Sequence, residues 1–435
     1  MQETIAAIAT GAGAGGVGVI RVSGPLAVEI VAGLVALPTE ELGRTVRYAV
    51  ARDGTGARLD DVLVFAMRAP RSFTGEDVAE VHGHGGAINL ARLLRAVVER
   101  GARVAQPGEF SRRAFDNGKL DALRAEALLG VIEAGSERAW RLAQAQLGGA
   151  LGRRIVELED RAVAVLAEVE GAIDFPEEDL EERGVAWLKQ ELSALGRACD
   201  ELERSYRGGL ALRSGVTAAL VGATNAGKSS LLNALIGQER ALVSEEPGTT
   251  RDYVEAQVEW DGVKVTLIDT AGWREVPDGL EAKGMALGQR RAEEADVVLL
   301  LSEGGPRVMD EGAFGGRVVH VRSKVDLGGE EGDERAIRTS VRTGEGLDAL
   351  RRRVLEVAGL GELGDGEVLV TERQRAAAAS AKQAFERASV VLERQPRELV
   401  AYDIREGLKY LTSIRGAELD DRVIGEIFSR FCIGK

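Results

Sequence analysis

Cysteine is scarce in this sequence, with only Cys199 and Cys432 among 435 residues. Two cysteines are too few for a disulfide scaffold or a cysteine-rich zinc site, and they suit a reducing, cytoplasmic location. Aromatic residues make up only 4%, which favours helices over an all-β sandwich. The sequence has no run of about 18 apolar residues, so no membrane association is expected. The first ten residues include Glu3 and no basic stretch, so no signal peptide is expected.

An excess of positive charge is also absent. Lys and Arg number 56 and Asp and Glu number 70, which gives a net charge of −14. Any contact with nucleic acid must therefore use a local patch or a partner. With 45% hydrophobic and 29% charged residues the chain can form folded cores. At about 100–200 residues per domain, its length predicts two to four domains.

The first 117 residues alternate short apolar runs with glycine-rich turns. Residues 17–22 and 62–67 are predicted strands, and residues 89–100 have helical spacing, so this part is α+β. From about residue 120 an apolar period near 3.5 takes over, which indicates a long helix. A break at residues 174–176 is followed by more helical sequence, at 177–207. The apolar seam before the break consists of Ile155, Leu158, Ala162, Val165, Val169 and Ala172.

Residues 216–359 alternate apolar runs with helical stretches, the pattern of a doubly wound parallel sheet. Asp261-Gly262 indicates a hairpin inside it. Helical sequence returns after residue 366. The predicted fold is therefore multidomain, α/β plus all-α. An N-terminal domain (1–117) is followed by a helical domain in two parts (118–210 and 363–435), interrupted by an inserted doubly wound domain (211–362).

A phosphate-binding loop is the strongest local motif. Residues 222–229 match G-x-x-x-x-G-K-[ST], after a predicted strand and before a predicted helix at 229–236. Backbone N–H groups of such a loop bind phosphate at a helix N-terminus. Lys228 can reach the β- and γ-phosphates, and the Ser229 hydroxyl can bind Mg²⁺. The flanking elements disfavour an ordinary glycine turn, which is the alternative.

Three further segments accompany this loop. Asp269 to Gly272 follow an apolar strand about forty residues later and suit the metal and γ-phosphate. Thr250 can complete the set of Mg²⁺ ligands, although an ordinary loop without a binding role is an equal alternative for its segment. Asp326 can accept hydrogen bonds from guanine. Ser323 is shorter than the Asn expected there, so it should hold the guanine and brace the surrounding loop less well. The predicted GTP-binding residues are Asn225, Ala226, Gly227, Lys228, Ser229, Ser230, Ser244, Glu245, Glu246, Pro247, Gly248, Thr249, Thr250, Asp269, Thr270, Ala271, Gly272, Ser323, Lys324, Asp326, Ser340, Val341 and Arg342.

Four segments outside the nucleotide motifs carry a resemblance to a known family. They are residues 15–24, residues 72–86, residues 107–121 and the ending Phe431-Cys432-Ile433-Gly434-Lys435. With the phosphate loop, they make the chain resemble the MnmE (TrmE) family of tRNA-modification GTPases along its full length. Two departures stand out. Ala223-Thr224 replaces the usual Arg-Pro, and Ser323 replaces the usual Asn.

The resemblance implies an N-terminal folate-binding domain, a split helical domain and an inserted G domain. It implies a homodimer formed through the N-terminal domains and a heterotetramer with the FAD-dependent protein MnmG (GidA). The pair would modify C5 of the wobble uridine of tRNA with a one-carbon unit from a tetrahydrofolate derivative, 5-formyl- or methylene-tetrahydrofolate. By matching positions, the folate contacts would be Arg21, Glu80, Lys119 and Lys435.

The resemblance also implies catalytic residues. Cys432 would act at the folate carbon, with a small buried apolar residue as the equal alternative. The segment after Asp269 contains no Gln that could position the attacking water. By resemblance to the family, the carboxylate in that role would be Glu281, and K⁺ would supply positive charge at the phosphates. The implied K⁺ ligands are Asn225, Ser244, Glu246 and Thr249.

Two other motifs and two other functions compete with this interpretation. Residues 11–16 satisfy G-x-G-x-x-G but precede a predicted strand, which argues against a dinucleotide site. His82 and His84 lack a completing ligand set for zinc, and turn histidines are favoured. A ribosome-assembly GTPase of the Era or EngA type would show a second G domain or a basic tail. A low-turnover nucleotide-binding scaffold is disfavoured by four intact residues, Lys228, Ser229, Thr250 and Asp269.

Overall fold

A computed structural model describes most of the chain: residues 3–11, 13, 15–174, 182–223, 225–237, 255–269, 290–302, 314–328, 335–361, 366–392, 396–416 and 420–434. Two compact units are formed, Met1–Leu129 with Arg415–Lys435, and Gly130–Ile414. The strands are β1 (Ile5–Ile8), β2 (Val17–Ser23), β3 (Arg47–Arg52), β4 (Arg58–Met67), β5 (Val78–His84), β6 (Arg103–Val104), β7 (Val216–Gly222), β8 (Glu255–Trp260), β9 (Val263–Asp269), β10 (Val297–Ser302), β11 (Val318–Arg322) and β12 (Ile337–Arg338). The helices are α1 (Ala27–Val35), α2 (Ala87–Val98), α3 (Glu109–Asp116), α4 (Ala122–Glu133), α5 (Glu137–Leu147), α6 (Ala150–Asp174), α7 (Glu182–Ser214), α8 (Lys228–Gly237), α9 (Leu347–Val357), α10 (Glu372–Val391), α11 (Arg397–Arg415) and α12 (Asp421–Ser429).

The first unit is built on a six-stranded sheet in the order β3-β4-β5-β2-β1-β6. Its pairs are antiparallel except β1 with β6. Ile20 and Val64 alternate with more exposed neighbours, and they share one buried cluster with Leu34 of α1 and Leu93 of α2. This alternation is the period of two that half-buried strands require, and it confirms the predicted α+β character.

The C-terminal segment belongs to this first unit. Phe428 and Phe431 pack in one cluster with Leu129. Gly434 has φ +99, and a Cβ there would lie 2.3 Å from the Ile8 carbonyl oxygen, so only glycine fits against β1. A segment more than four hundred residues from β1 in sequence therefore completes the same sheet region.

A network of charges around the buried Arg113 links β6, α3 and the loop before β5. Arg113 donates to Glu76 at 3.0 Å and to Glu109 at 3.0 Å, and Arg103 donates to Glu109 at 2.7 Å and to Glu3 at 2.7 Å. Burial would raise the pKa of Glu109, but hydrogen bonds from Arg103, the backbone N–H of residue 106 and Arg113 outweigh it and hold the pKa at about 2. The folded state therefore favours the ionised carboxylate of Glu109.

Replacing Glu109 by Gln should destabilise the first unit by about 2–3 kcal/mol at neutral pH. Because the folded state lowers the pKa of Glu109, its ionised carboxylate stabilises the fold at pH values above the ordinary carboxyl pKa. This stabilisation is lost as the pH falls toward 2, so the difference in unfolding free energy between wild type and variant should shrink in that range. The loss of stability can be measured by hydrogen exchange of peptides from β1 and α3 at increasing urea concentration, as a shift of the unfolding midpoint. Glu3→Gln is the matched control, because its exposed ion pair to Arg103 contributes less than about 1 kcal/mol. Equal losses in the two variants would contradict this account.

The second unit begins with long helices. The predicted seam of α6 is confirmed, since its six apolar residues are all buried, and α7 packs against both α6 and α10. Helix α7 continues to Ser214, beyond the predicted boundary at 210/211, and Gly215 alone separates it from β7. None of the described helices is both long and apolar enough to cross a membrane.

The second unit also holds the doubly wound sheet, in the order β12-β11-β10-β7-β9-β8. All pairs are parallel except the β8–β9 hairpin, which turns at Asp261-Gly262 as predicted. The segment leaving this sheet is fixed between helices. The Gln146 side chain donates to the Val368 carbonyl at 2.7 Å, and the Leu369 N–H donates to the Ser205 hydroxyl at 3.1 Å. The predicted fold class, with an N-terminal domain, a helical domain and a G domain, is confirmed.

Candidate functional site

The phosphate loop joins β7 to α8 in the second unit. Asn225 has φ +62 and Gly227 has φ +86, so the chain turns through the left-handed region twice before α8 begins at Lys228. Gly227 permits this backbone because it has no Cβ. The loop therefore directs its backbone toward the N-terminus of α8, where anions are favoured.

Lys228 lies over this loop and is almost fully buried. Its ammonium donates to the Gly222 carbonyl at 2.6 Å and to the Ala223 carbonyl at 2.7 Å. The next residue, Ser229, donates its hydroxyl to a carboxylate oxygen of Asp269 at 2.8 Å. Asp269 ends β9 and is buried. A hydroxyl and a carboxylate held together are hard oxygen donors of the kind that Mg²⁺ prefers.

Ser323 follows β11 and braces the phosphate loop. Its hydroxyl donates to the Ala226 carbonyl at 2.7 Å. The Lys324 ammonium donates to the Asn225 carbonyl at 2.7 Å. Contrary to expectation, the short Ser323 side chain does brace the loop, because the loop comes close enough for a hydroxyl to reach it.

Asp326 and Ser340 lie within hydrogen-bonding distance of each other. The Ser340 hydroxyl donates to Asp326 Oδ1 at 2.7 Å, and the Thr343 N–H donates back to that hydroxyl at 3.2 Å. Ser340 is fully buried while Asp326 is exposed, so a fixed residue orients an accessible carboxylate. Val341 and Arg342 follow at the surface. The predicted base-recognition segments are thus brought together.

Several predicted residues lie outside the described part of the chain. These are Ser244, Glu245, Glu246, Pro247, Gly248, Thr249, Thr250, Thr270, Ala271, Gly272, Glu281 and Lys435.

A second constellation lies in the first unit. Arg21 donates to Glu80 Oε1 at 2.9 Å across the paired strands β2 and β5, and it also donates to the Gly434 carbonyl at 3.3 Å. The other carboxylate oxygen of Glu80 lies 2.8 Å from His82 Nε2. Glu80 is buried, and the Arg21 guanidinium lies 6.0 Å from the centre of the Phe110 ring. Segments from the two ends and the middle of this unit therefore converge on one carboxylate.

Lys119 and Cys432 lie on other parts of this unit. The Lys119 ammonium donates to the Pro70 carbonyl at 2.9 Å. The Cys432 side chain is exposed, which argues against its reading as a small buried residue, and its carbonyl accepts from the Gly108 N–H at 3.4 Å. Its exposed thiol is accessible to a ligand.

The structure corrects the interpretation of the two histidines. His82 and His84 both lie within strand β5, not in a turn. His82 contacts Glu80, and His84 Nδ1 lies 2.7 Å from Asp60 Oδ1. The hydrogen bond to Asp60 raises the pKa of His84. His82 was missed as a site residue, although its spacing of two from Glu80 on a strand places both on one face.

Comparisons with known proteins identify the family of the chain. A family profile described as MnmE helical domain matches residues 123–432, and one described as GTP-binding protein TrmE N-terminus matches residues 4–119. A protein of Synechococcus sp. (strain WH7803) named tRNA modification GTPase MnmE is 42% identical over 455 residues, covering 100% of this chain and 98% of that protein. The protein of that name in Xanthomonas campestris pv. campestris (strain 8004) is 40% identical over 446 residues, covering 100% and 99%.

The chain belongs to the MnmE family. As a family member it is a GTPase, and the phosphate loop described above is the part of this MnmE-family chain that fits that activity. Among solved structures, the G domain of the T. maritima FeoB iron transporter matches with 25% identity and a TM-score of 0.25, covering 33% of this chain and 98% of that one.

Proposed function

We propose that this MnmE-family GTPase modifies C5 of the wobble uridine, position 34, of tRNA. In this proposal it acts in the cytoplasm with the FAD-dependent protein MnmG, and adds an aminomethyl or carboxymethylaminomethyl group with a folate one-carbon unit. The observation that carries the proposal is the convergence at Glu80. Arg21, Glu80, Phe110 and Gly434 come from four separate motifs of the family resemblance and meet at one place.

The chemistry of that place suits a folate. A carboxylate has about four lone-pair sites, so Glu80 can keep Arg21 and His82 and still accept from the donor edge of a pterin. Phe110 supplies an aromatic face beside it. Lys119 and Lys435 would bind carboxylates of the glutamate end, and Cys432 would approach the folate carbon. Residues 1–117 are the proposed folate-binding domain, and Lys119, Cys432 and Lys435 would complete its site from outside that range.

In the proposed G domain, residues 211–362, the chain's own groups would act on nucleotide phosphates. The Lys228 ammonium would leave the Gly222 and Ala223 carbonyls and move to the phosphate oxygens. Ser229 and Thr250 would hold Mg²⁺, with Asp269 accepting from Ser229 or from metal-bound water. Bound Mg²⁺ would supply charge neutralisation at the phosphates. The helical parts, 118–210 and 363–435, would connect this cycle to the modification reaction.

The homodimer is proposed to form through the open face of the first sheet. Tyr48, Leu63, His82 and Val19 stand in one cross-strand row over β3, β4, β5 and β2. Tyr48 and Leu63 are 70% and 45% exposed. Apolar side chains aligned on a sheet face favour burial against a second copy. The heterotetramer would add two MnmG chains.

Charge distribution supports contact with tRNA through the first unit. Residues 1–129 with 415–435 contain equal numbers of basic and acidic residues, so residues 130–414 carry the whole net charge of −14. An anionic RNA would be repelled least by the neutral first unit.

Ser323 offers a test of the nucleotide site. Ser323→Ala should weaken GTP and GDP binding several-fold, because loss of one hydrogen bond to a buried carbonyl costs about 0.5–1.5 kcal/mol. Ser323→Asn should bind guanine nucleotides more tightly than wild type, since an amide can brace Ala226 and also reach the base. Titration with a fluorescent GDP measures both variants, with inosine diphosphate as the base control. Unchanged affinity in both variants would show that Ser323 contributes nothing.

Reconstitution tests the proposed function. Purified chain, MnmG, undermodified tRNA, GTP and a tetrahydrofolate derivative should yield modified wobble uridine, detected by nucleoside mass spectrometry. Omission of folate or of MnmG should abolish the product, and Glu80→Gln should reduce it strongly. Product formed at full yield without folate would contradict the one-carbon source, and product formed without MnmG would contradict the partner.

A further inference from the structure

His82 stands beside Glu80 on strand β5 and contacts its carboxylate. His82 Nε2 lies 2.8 Å from Glu80 Oε2. The other oxygen of the same carboxylate, Glu80 Oε1, accepts a hydrogen bond from Arg21 Nε at 2.9 Å, which reaches it from strand β2. Each oxygen of this buried carboxylate is therefore held by a different side chain.

Arg21 does not hold both oxygens of the carboxylate. Its Nε donates to Glu80, whereas its Nη1 donates to the Gly434 carbonyl at 3.3 Å. An arginine fixes the plane of a carboxylate when two of its N–H groups bind the two oxygens in parallel. A bond to one oxygen alone leaves the carboxylate able to rotate about its bond to the side chain. The contact from His82 to the second oxygen restrains that rotation.

The hydrogen shared by His82 and Glu80 belongs to the histidine. An ionised carboxylate can only accept hydrogen bonds, and this carboxylate already accepts one from the Arg21 guanidinium. His82 must therefore carry its hydrogen on Nε2, which leaves Nδ1 as the acceptor when the ring is neutral. Glu80 thus selects one tautomer of the imidazole, and that tautomer in turn fixes the carboxylate.

The imidazole ring is itself held in place by the neighbouring strands. Its centroid lies 5.4 Å from the centroid of the Phe65 ring on β4, and the two planes are tilted by 59°. Tilted pairs at this distance are favourable for aromatic rings. The cross-strand neighbours of His82 are Leu63 on β4 and Val19 on β2. The groups that face the ring from both strands are apolar, so Glu80 is the polar contact that orients it.

We propose that His82 is a positioning residue of the folate site, which sets the plane of the Glu80 carboxylate for the donor edge of a pterin. This inference rests on the proposed folate site at Arg21 and Glu80. Neighbouring N–H groups of a pterin donate in parallel, and a carboxylate accepts both well only when its plane matches theirs. Loss of the His82 contact therefore weakens folate binding without removing the charge of Glu80 or Arg21.

Two amide substitutions test the role of Nε2. His82→Gln keeps an amide N–H near the position of Nε2, whereas the amide of His82→Asn is one methylene shorter and cannot replace it. Calorimetry on the full-length chain with 5-formyl-tetrahydrofolate should show about tenfold weaker binding for His82→Asn, because a hydrogen bond to a charged group can change an equilibrium constant by that factor. His82→Gln should restore binding to within about twofold of wild type.

Two matched controls carry the same amide at neighbouring positions. His84→Asn changes the histidine two residues further along β5, which contacts Asp60 instead of Glu80. Leu63→Asn changes the residue opposite His82 in the row proposed for the homodimer. Both controls should bind folate as wild type does. Equal losses in His82→Asn and Leu63→Asn would assign the effect to the sheet face and contradict the inference.

Nitrogen chemical shifts of the imidazole give a second measurement that does not depend on folate affinity. They should show the hydrogen of His82 on Nε2 in wild type, and a mixture of tautomers in Glu80→Ala. A hydrogen on Nδ1 in wild type would overturn the inference, as would equal folate affinity in wild type and His82→Asn, and both results would leave the folate site intact. Absence of folate binding by wild type would instead reject the proposed folate site, and this inference with it.

Discussion

Glu281→Ala should lose about 100-fold or more in single-turnover GTP hydrolysis while binding GTP nearly normally. Something must orient the attacking water, and the segment after Asp269 contains no Gln to do it. Asp269 itself is held by the Ser229 hydroxyl and suits the metal. By family resemblance the remaining carboxylate is Glu281. The competing explanation is an acidic residue that merely stabilises the first turn of a helix.

Rapid-quench measurements under single-turnover conditions separate these explanations, because they isolate the chemical step from product release. Glu275→Ala and Asp278→Ala are matched controls, as both remove a carboxylate from the same segment. Each should keep a rate close to that of wild type. A loss of less than about threefold in Glu281→Ala, with either control inactive, would place the water-positioning group earlier in the segment.

GTP hydrolysis should be at least about tenfold faster in KCl than in NaCl at equal ionic strength. The family resemblance gives Asn225, Ser244, Glu246 and Thr249 as K⁺ ligands. Asn225 stands in the left-handed region, and its carbonyl accepts a hydrogen bond from Lys324, which fixes the backbone of the loop; the proposed K⁺ ligand is its side-chain amide oxygen. A cation there would offset charge on the transferring phosphoryl group.

Asn225→Ala should remove the difference in GTP hydrolysis rate between KCl and NaCl, while Lys228 still binds phosphate. Asn233→Ala is a suitable control, because Asn233 is an exposed asparagine on α8 outside the predicted GTP-binding residues. Equal wild-type rates in the two salts would contradict a potassium-dependent mechanism.

The elements of the fold were predictable where a local pattern determines them. The seam of α6, the turn at Asp261-Gly262 and the phosphate loop before α8 each follow from a short periodicity or a turn preference. The end of α7 was predicted too early, because Gly208-Gly209 suggest a stop there, whereas the helix runs to Ser214 and ends before Gly215 at φ +83.

Contacts between distant segments were harder to predict. Nothing local in the sequence indicates that Gly434 lies against Ile8, because a close backbone approach depends on tertiary packing. The bond from Ser323 to Ala226 likewise depends on how near β11 brings the loop. His82 is the exception, since strand periodicity already places it beside Glu80.

The central claim is that this chain modifies the wobble uridine of tRNA in a GTP-dependent reaction. The most direct test is mass spectrometry of wobble-uridine nucleosides in tRNA from a strain lacking the gene, with and without plasmid-borne wild type or Lys228→Ala. The account predicts that the modified nucleoside disappears in the deletion strain, returns with wild type and does not return with Lys228→Ala. Unchanged nucleosides in the deletion strain would contradict it.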